Sequence, residues 1–435
     1  MLNSSPLRQL ILFLKRPQTG ALGDQAIVSG TNFLTTVLIG RACSQEDLGL
    51  YSLGFTFLIV LSSLQESLVN APYAVFGNRL KDEPRKRLAG SVWVHHLFLL
   101  LILSLLLGIT GLGSSLADGR KIAWLLWVLA LTLPFVLIRE FWRRIQFAHL
   151  SMTNAWIMSA CASVVQLSIL IVLIGLDWIN PFTAHLAVGA ACLLVGIPAL
   201  WFSRHLLSPC REQIWSDLRS NWKFGRWLMA TQMVGVVHGF VSYWILAGIK
   251  GTEATGAFAA CMTIVMLSNP LILGMANYLG PQSSRSFAEG GRSAVRTTVL
   301  KSTILLTGAM SLFVLFILLF GSQILTIIYG PQYAEHSTTI HILAFAVLVG
   351  AMGIATEHGL RAMERSDTSF LSGLCGFAVT ITGGSLAIPH WGVVGAAIGY
   401  LLGSTTSSTI RAIVFFRELR HGSTEELSIP SPVRN

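Results

Sequence analysis

Two carboxylic acids, Asp24 and Glu66, lie within long apolar stretches of this 435-residue sequence. A charged side chain near the centre of a bilayer costs at least ~2.5 to 3.5 kcal/mol on insertion scales, so an acid placed there is usually functional. Either carboxylate could bind the hydroxyl groups of a polar ligand or a coupling ion. For Glu66, a protonated side chain or a structural hydrogen bond is the alternative.

Four basic residues could bind an anion. Arg139 and Arg143 stand at the end of the fourth apolar stretch, beside Glu140. Guanidinium groups hold phosphate in bidentate hydrogen bonds, so both arginines could capture a diphosphate. Arg41 and Lys250 stand at the predicted outer ends of the first and seventh stretches, where they could guide its release. Basic residues at helix ends also set the orientation of a membrane protein, and this role explains the presence of Arg139 and Arg143 equally well.

Polar residues form a stripe along the first, second and seventh apolar stretches. On the first, at about 100° per residue, they fall within an arc of about 160° opposite an apolar face. We expect a substrate cavity lined by residues on these stripes or aligned with them: Asp24, Gln25, Asn32, Thr35, Glu66, Asn70, Gln232, His238 and Asn277. Interhelical packing is the alternative for the hydroxyl residues, and a simple interhelical hydrogen bond is the favoured interpretation for His238.

Metal and nucleotide chemistry have no support in the sequence. The six cysteines are scattered, and the adjacent His95 and His96 would diverge by about 100° on a helix. The motifs of P-loop nucleotide binding, zinc proteolysis and elbow-type ester hydrolysis are absent. We therefore expect no metal, no cofactor and no enzymatic activity, and transport remains.

The composition identifies the setting of these residues as a membrane. Charged residues make up 11% of the chain and apolar residues 53%, whereas soluble domains are roughly 25% charged. Runs of about twenty apolar residues cross a hydrocarbon core only as helices. The runs are 22–41, 48–76, 89–112, 121–138, 151–176, 183–203, 222–248, 255–280, 299–320, 338–360, 369–389 and 392–416. We predict an all-α integral membrane protein of about twelve transmembrane helices.

The net charge of +10 is distributed asymmetrically across these helices. If the N-terminus is cytoplasmic, all but four of the 30 Lys and Arg residues lie on the cytoplasmic side. The exceptions are Arg41, Arg120, Lys121 and Lys250. Positive loops stay in the cytoplasm, so both termini are predicted to be cytoplasmic, and nucleic acid is not an expected partner.

An internal repeat predicts two related halves. A gapless shift of 207 residues places Gln25 on Gln232, Phe33 on Phe240, Gly49 on Gly256, Leu64 on Leu271 and Asn70 on Asn277. We predict two pseudo-symmetric six-helix bundles with a cavity between them. The predicted parts are an amphipathic segment 1–21, lobes 22–203 and 222–416, a linker 204–221 and a tail 417–435. In the last helix, Gly395, Gly399 and Gly403 form a ridge typical of helix packing.

Four segments carry a resemblance to a known family. ALGDQAIVSGTNFLTTVLIGRACSQEDLGLYSLGF and FGRWLMATQMVGVVHGFVSYWILAGIKGTEATGAFAA resemble bacterial polysaccharide transporters, relatives of the O-antigen flippases. YGPQYAEHSTTIHILAFAV and WGVVGAAIGYLLGS extend the resemblance through nearly the whole chain. These proteins belong to the multidrug, oligosaccharidyl-lipid and polysaccharide exporter superfamily. The resemblance implies a V-shaped pair of six-helix lobes, alternating access and a polyprenyl-diphosphate-linked saccharide as cargo.

We therefore expect a flippase or exporter of lipid-linked saccharide in the bacterial inner membrane. Its partners would be the lipid bilayer, the lipid-linked saccharide and the glycosyltransferases or polymerase of the same pathway. Two alternatives stay open. A multidrug antiporter of the same superfamily would use Asp24 or Glu66 for protons or sodium. A non-transporting scaffold of a polysaccharide assembly complex would depend on its cytoplasmic loops instead.

Overall fold

The computed structural model describes residues 17–117 and 119–426, with side chains from residue 23 to residue 420. Residues 1–16 of the predicted amphipathic segment, and 427–435 of the predicted tail, lie outside the described residues. Every regular element in the described part is a helix, with no strand. The all-α prediction is therefore confirmed.

Six helices precede residue 204. They are α1 (Pro17–Ala42), α2 (Gln45–Gln65, continued by Glu66–Asn70 and Ala71–Gly77), α3 (Asp82–Leu116), α4 (Arg120–Ala148), α5 (Met152–Gly175) and α6 (Pro181–Ser203). Local sequence fixes several of their starts. Ser44 and Asp47 form a capping box before α2, and Asn180 caps α6 with Pro181 at the first helical position.

Six further helices follow, and glycines separate most of them. They are α7 (211–250), α8 (252–265, continued by the 3-10 turn Met266–Ser268 and by 269–289), α9 (292–329), α10 (Ser337–Ala362), α11 (366–391) and α12 (393–426). Gly251, Gly291 and Gly392 have positive φ values of 86°, 58° and 53°, which break otherwise continuous helices. The described residues thus form twelve long helices, as predicted.

All the helices except α1 lie in stretches that are long and apolar enough to cross a membrane. Eight helical stretches in the described part are long and apolar enough to do so, and two of these comprise α7 to α9 and α11 to α12. Large apolar side chains on α3, such as Leu101, Leu105 and Ile109, are exposed on the protein surface. In a bilayer this surface contacts lipid, so its exposure needs no protein partner.

The helices divide into two compact units, Met1–Val236 and Val237–Asn435. Phe141, Trp142 and Val92 are buried in a core of the first unit. Val299 and Phe415 are buried in a core of the second. The first unit contains α1 to α6 and the beginning of α7, so that part of α7 packs on α2 and α3. A Cβ atom on Gly225 would lie only 2.6 Å from the carbonyl oxygen of Ser67.

The glycine ridge of α12 packs against α11 in the second unit. Cβ atoms at Gly395 and Gly399 would lie 2.5 Å and 2.7 Å from the backbone of Ala387 and Gly384. Real Cβ atoms do not approach so closely, hence only glycine allows this contact. The packing interpretation of the ridge is confirmed.

Candidate functional site

Six charged side chains meet near the end of the first unit at which α1 begins. We call them the charge cluster: Asp24 on α1, Glu66 on α2, and Arg139, Glu140, Arg143 and Arg144 on α4. Three carboxylates face three guanidinium groups, so the formal charges balance. Charges placed at this depth need such partners, because their desolvation is otherwise uncompensated.

Arg143 joins α1 to α4 at the centre of the charge cluster. Its Nη1 donates to Asp24, while Nε and Nη2 donate to the two oxygens of Glu140 at 2.9 Å and 2.6 Å. Ser159 on α5 donates to the other oxygen of Asp24. Arg143 is 8% exposed and Asp24 1%. Both side chains are therefore fully engaged and held rigidly.

Arg144 links the same cluster to an irregular turn of α2. Its Nε donates to Glu140 at 3.0 Å and lies 3.2 Å from Glu66. Glu66 opens the π-helical turn Glu66–Asn70 and accepts a hydrogen bond from Asn70 at 3.1 Å. Single π-helical turns within α-helices occur frequently at functional sites. The two polar residues predicted on α2 thus lie together at the point where this helix departs from regularity.

A cavity of about 200 Å³ adjoins the charge cluster inside the first unit. Its polar lining is Thr31, Asn32, Tyr51, Ser62, Arg139, Glu140, Ser163, Gln166 and His185. The Arg139 side chain is 17% exposed, and its only ion pair among the described residues is a 3.9 Å contact with Glu140. The Nε of Arg139 is buried and has no hydrogen-bond partner in the described part of the chain. Arg139 therefore brings a guanidinium group with one long ion pair and an unpaired Nε to the wall of a cavity lined by hydroxyl and amide groups.

Much of the polar stripe of α1 forms a hydrogen-bonded interface with α5. Thr31 donates to Ser163 at 2.6 Å, and Gln166 donates to Thr35 at 2.8 Å. Thr35 is completely buried. Asn32, between them in sequence, is half-buried and lines the cavity. Some residues of the stripe therefore lie in the interface between α1 and α5, and others line the cavity.

The other predicted residues do not belong to the charge cluster. Gln25, Arg41, Lys250 and Asn277 are exposed, and Gln232 is half-buried. Gln25 donates a hydrogen bond to Ser29, one helical turn away, at 3.2 Å.

His238 has a partner in the second unit. It makes a 3.0 Å hydrogen bond to the hydroxyl of Thr380 on α11. This is the interhelical bond favoured for it from the sequence.

The second unit has an ion group of its own that the predicted site does not include. Glu357 on α10 pairs with Arg361 one turn later and with Arg411 on α12, the latter at 2.7 Å. Arg411 also donates to Ser372 on α11 at 3.0 Å. The four-residue spacing of Glu357 and Arg361 was a signal in the sequence. The contact with Arg411 was not, because it joins residues distant in the chain.

Glu140 and Arg144 are likewise absent from the predicted site residues, although they belong to the charge cluster. Their spacing of four residues on α4, with Arg143 between, indicates local pairing. The contacts with Asp24 and Glu66 depend on how the helices pack. No group of three or more His, Cys, Asp and Glu residues in the described part is arranged to hold a metal ion.

Two known family models match the chain. The model of a family described as polysaccharide biosynthesis protein matches residues 22–287, more than half of the chain. The model of the MatE family matches residues 228–386. No curated protein matches the sequence.

Solved structures share the fold at low sequence identity. An inward-facing multidrug resistance MATE family transporter of the MOP superfamily is similar with a TM-score of 0.78 and 14% identity, over 93% of this chain and 96% of that one. A MOP superfamily transporter from Pyrococcus furiosus is similar with a TM-score of 0.65 and 16% identity, over 94% of this chain and 95% of that one. For that protein, reverse polarity of the binding pocket suggests a different function. An outward-facing multidrug resistance MATE family transporter is similar with a TM-score of 0.62 and 16% identity, over 94% of this chain and 95% of that one. These structures have the two six-helix bundles predicted from the sequence.

Proposed function

Because the chain belongs to the family of polysaccharide biosynthesis proteins, we propose that it carries a lipid-linked saccharide across the bacterial inner membrane. The cargo is a saccharide joined to a polyprenyl diphosphate, and transport proceeds by alternating access of the two units. Both termini lie in the cytoplasm, as the distribution of basic residues predicts. Glycosyltransferases supply the cargo and a polymerase consumes it.

The unused donor on Arg139 is the observation that carries this proposal. A buried guanidinium N–H without an acceptor is costly, and a ligand oxygen would satisfy it. Arg139 lies at a cavity wall, and its nearest carboxylate is 3.9 Å away. A phosphate or sugar oxygen in the cavity therefore has a charged donor available. Arg143 is committed to Asp24 and Glu140, so it positions α1 and α4 rather than contacting the cargo.

The balance of charges beside the cavity supports an anionic or neutral cargo. Each of the three carboxylates of the charge cluster has a guanidinium partner. A site for an organic cation would instead present a carboxylate without a partner. The polar lining of the cavity consists mostly of hydroxyl and amide groups, which hydrogen-bond to sugar hydroxyls.

The membrane potential supplies a driving force without nucleotide. A diphosphate head group carries about two negative charges, and each is worth ~2.3 kcal/mol per 100 mV. An inside-negative potential therefore favours outward movement by ~4 to 5 kcal/mol. Arg41 and Lys250 are exposed at the C-terminal ends of α1 and α7, and they assist release of the head group.

A multidrug cation antiporter is the second candidate function. The fold similarity to multidrug resistance MATE transporters favours it, and Asp24 or Glu66 would bind the coupling proton or sodium. In that case substrate addition to vesicles would release protons or move sodium. A scaffold without transport activity would show neither behaviour.

Flipping of a polyprenyl-diphosphate saccharide in proteoliposomes tests the function and the role of Arg139 together. Wild-type protein should flip the lipid. Arg139→Gln should lower the rate about tenfold or more, because a hydrogen bond from a charged group contributes about 1.5 to 3 kcal/mol. The matched control is Arg296→Gln, which removes an exposed arginine of the second unit and should leave the rate unchanged.

Two results would count against the proposal in different ways. A normal rate for folded Arg139→Gln protein would remove the role of Arg139 while leaving the cargo intact. Absence of flipping by the wild type, together with drug-stimulated proton release, would favour the antiporter.

A further inference from the structure

A second cavity of the first unit shares no lining residue with the one beside Arg139. Its volume is about 550 Å³, and it lies where the end of α2, the start of α3 and the start of α7 meet. The lining residues are Phe76, Leu80, Leu88, Asp217, Ser220, Asn221, Lys223 and Phe224. The walls from α2 and α3 are apolar, whereas most of the α7 wall is polar. The cavity thus suits an amphipathic ligand.

Asn221 is the residue that points to a ligand. Its side chain is 2% exposed, yet neither the amide oxygen nor the amide nitrogen has a hydrogen-bond partner in the described part of the chain. Buried amides are almost always bonded, because an unpaired donor or acceptor pays its full desolvation penalty. Asn221 lines the cavity, so a ligand that displaces the groups covering its amide, and that both donates and accepts hydrogen bonds, would satisfy it.

The charges beside Asn221 define the polarity of that ligand. Asp217 lies one helical turn before Asn221, and Lys223 lies two residues after it, all on the cavity wall. Among the described residues, neither Asp217 nor Lys223 belongs to an ion pair. A ligand with one anionic and one cationic group matches this pair of opposite charges.

The surroundings place the cavity at the depth of lipid head groups. Trp215, Trp222 and Trp227 on α7 are 76%, 50% and 70% exposed. Tryptophan side chains collect at the membrane–water interface, where the ring contacts lipid and the N–H reaches water. Phe76 and Phe224 meet edge to face, with ring centroids 5.6 Å apart, and extend the apolar wall. Acyl chains fit such a wall, so the ligand is a lipid rather than a free phosphate.

We propose that this cavity binds a phosphatidylethanolamine, a zwitterionic phospholipid with a primary ammonium group. The amide nitrogen of Asn221 and the ammonium of Lys223 donate to the phosphate. The amide oxygen of Asn221 and the carboxylate of Asp217 accept from the lipid ammonium. Phosphatidylcholine has the same charges but no N–H to donate, and phosphatidylglycerol has no cation. The site therefore distinguishes among the three lipids.

Native mass spectrometry of the purified full-length protein tests this selectivity. Equal amounts of phosphatidylethanolamine, phosphatidylcholine and phosphatidylglycerol with identical acyl chains are added in detergent, and bound lipids are counted. Phosphatidylethanolamine should bind most tightly. Asn221→Leu should weaken its binding about tenfold, the effect of losing hydrogen bonds to charged groups. Gln213→Leu, at an exposed position of α7 outside the cavity, should change nothing.

Asp217→Asn separates recognition of the ammonium from that of the phosphate. It should weaken phosphatidylethanolamine binding and strengthen phosphatidylglycerol binding, because a negative charge near the head group is removed. Melting temperatures of all variants show whether they fold, and the comparison of lipids on wild-type protein needs no variant. Equal binding of the three lipids, a preference for phosphatidylglycerol, or unchanged selectivity in Asn221→Leu would each overturn the proposal.

Discussion

Both carboxylate oxygens of Asp24 accept hydrogen bonds. Arg143 donates to one oxygen and Ser159 to the other. The sequence identified Asp24 as a residue of interest, since an acid within an apolar stretch is costly. It could not identify the partner, because Arg143 lies 119 residues away and the contact exists only when α1 packs beside α4.

Breaking the buried ion pair between Asp24 and Arg143 should destabilise the first unit. Arg143→Gln leaves Asp24 without its ion-pair partner and leaves Glu140 with only Arg139 and Arg144, so it should cost roughly 3 to 5 kcal/mol. Asp24→Asn should cost less, because Arg143 still pairs with Glu140. The double variant should cost less than the sum of the single ones. Unfolding of the purified variants in detergent measures this coupling. Additive effects would show that the two side chains do not interact.

Cysteine labelling distinguishes the two surfaces of α1. In a background without native cysteines, Asn32→Cys should react with a small polar thiol reagent, because Asn32 lines the cavity. Thr35→Cys should react much more slowly, because Thr35 is buried against Gln166. The sequence alone predicts equal access, since cavities and polar helix interfaces favour the same residue types. Equal rates would mean that the α1–α5 interface opens in the membrane.

At the scale of elements, small residues decide how closely helices approach. The ridge of α12 was predictable because glycines at four-residue spacing have few uses other than close packing. The π-helical turn of α2 was not predictable, because ESLVN has no feature that excludes a regular α-helix. Its surroundings, including the pairing of Glu66 with Arg144, come from tertiary contacts.

Gly399→Ala tests the packing of α11 on α12. The new Cβ would lie 2.7 Å from backbone atoms of Gly384, so the helices must move apart. We expect a loss of about 1 to 3 kcal/mol of stability, as for other overpacked interiors. Gly308→Ala on α9 is the control, because its Cβ meets nothing within 4 Å. It should be neutral or slightly stabilising in thermal unfolding. A similar small effect at both positions would contradict the packing.

At the scale of the whole molecule, hydropathy and charge already determine most of the architecture. Twelve apolar runs predicted twelve helices, and the breaks at Gly251 and Gly291 fall between predicted runs. The predicted break at 390–391 is one residue from Gly392. Helix number is predictable because each crossing requires its own apolar length. Pairing within the charge cluster is not predictable, because it depends on side-chain geometry across three separate helices.

Transport under membrane potentials of either sign tests the proposed function most directly. Proteoliposomes containing a polyprenyl-diphosphate saccharide are given potassium diffusion potentials with valinomycin, and movement of the head group between leaflets is followed. The head group carries about two negative charges, so it should accumulate on the positive side and reverse with the sign of the potential. An organic cation should not be transported. Accumulation of the cation in exchange for protons or sodium, with no movement of the lipid, would contradict the proposed function.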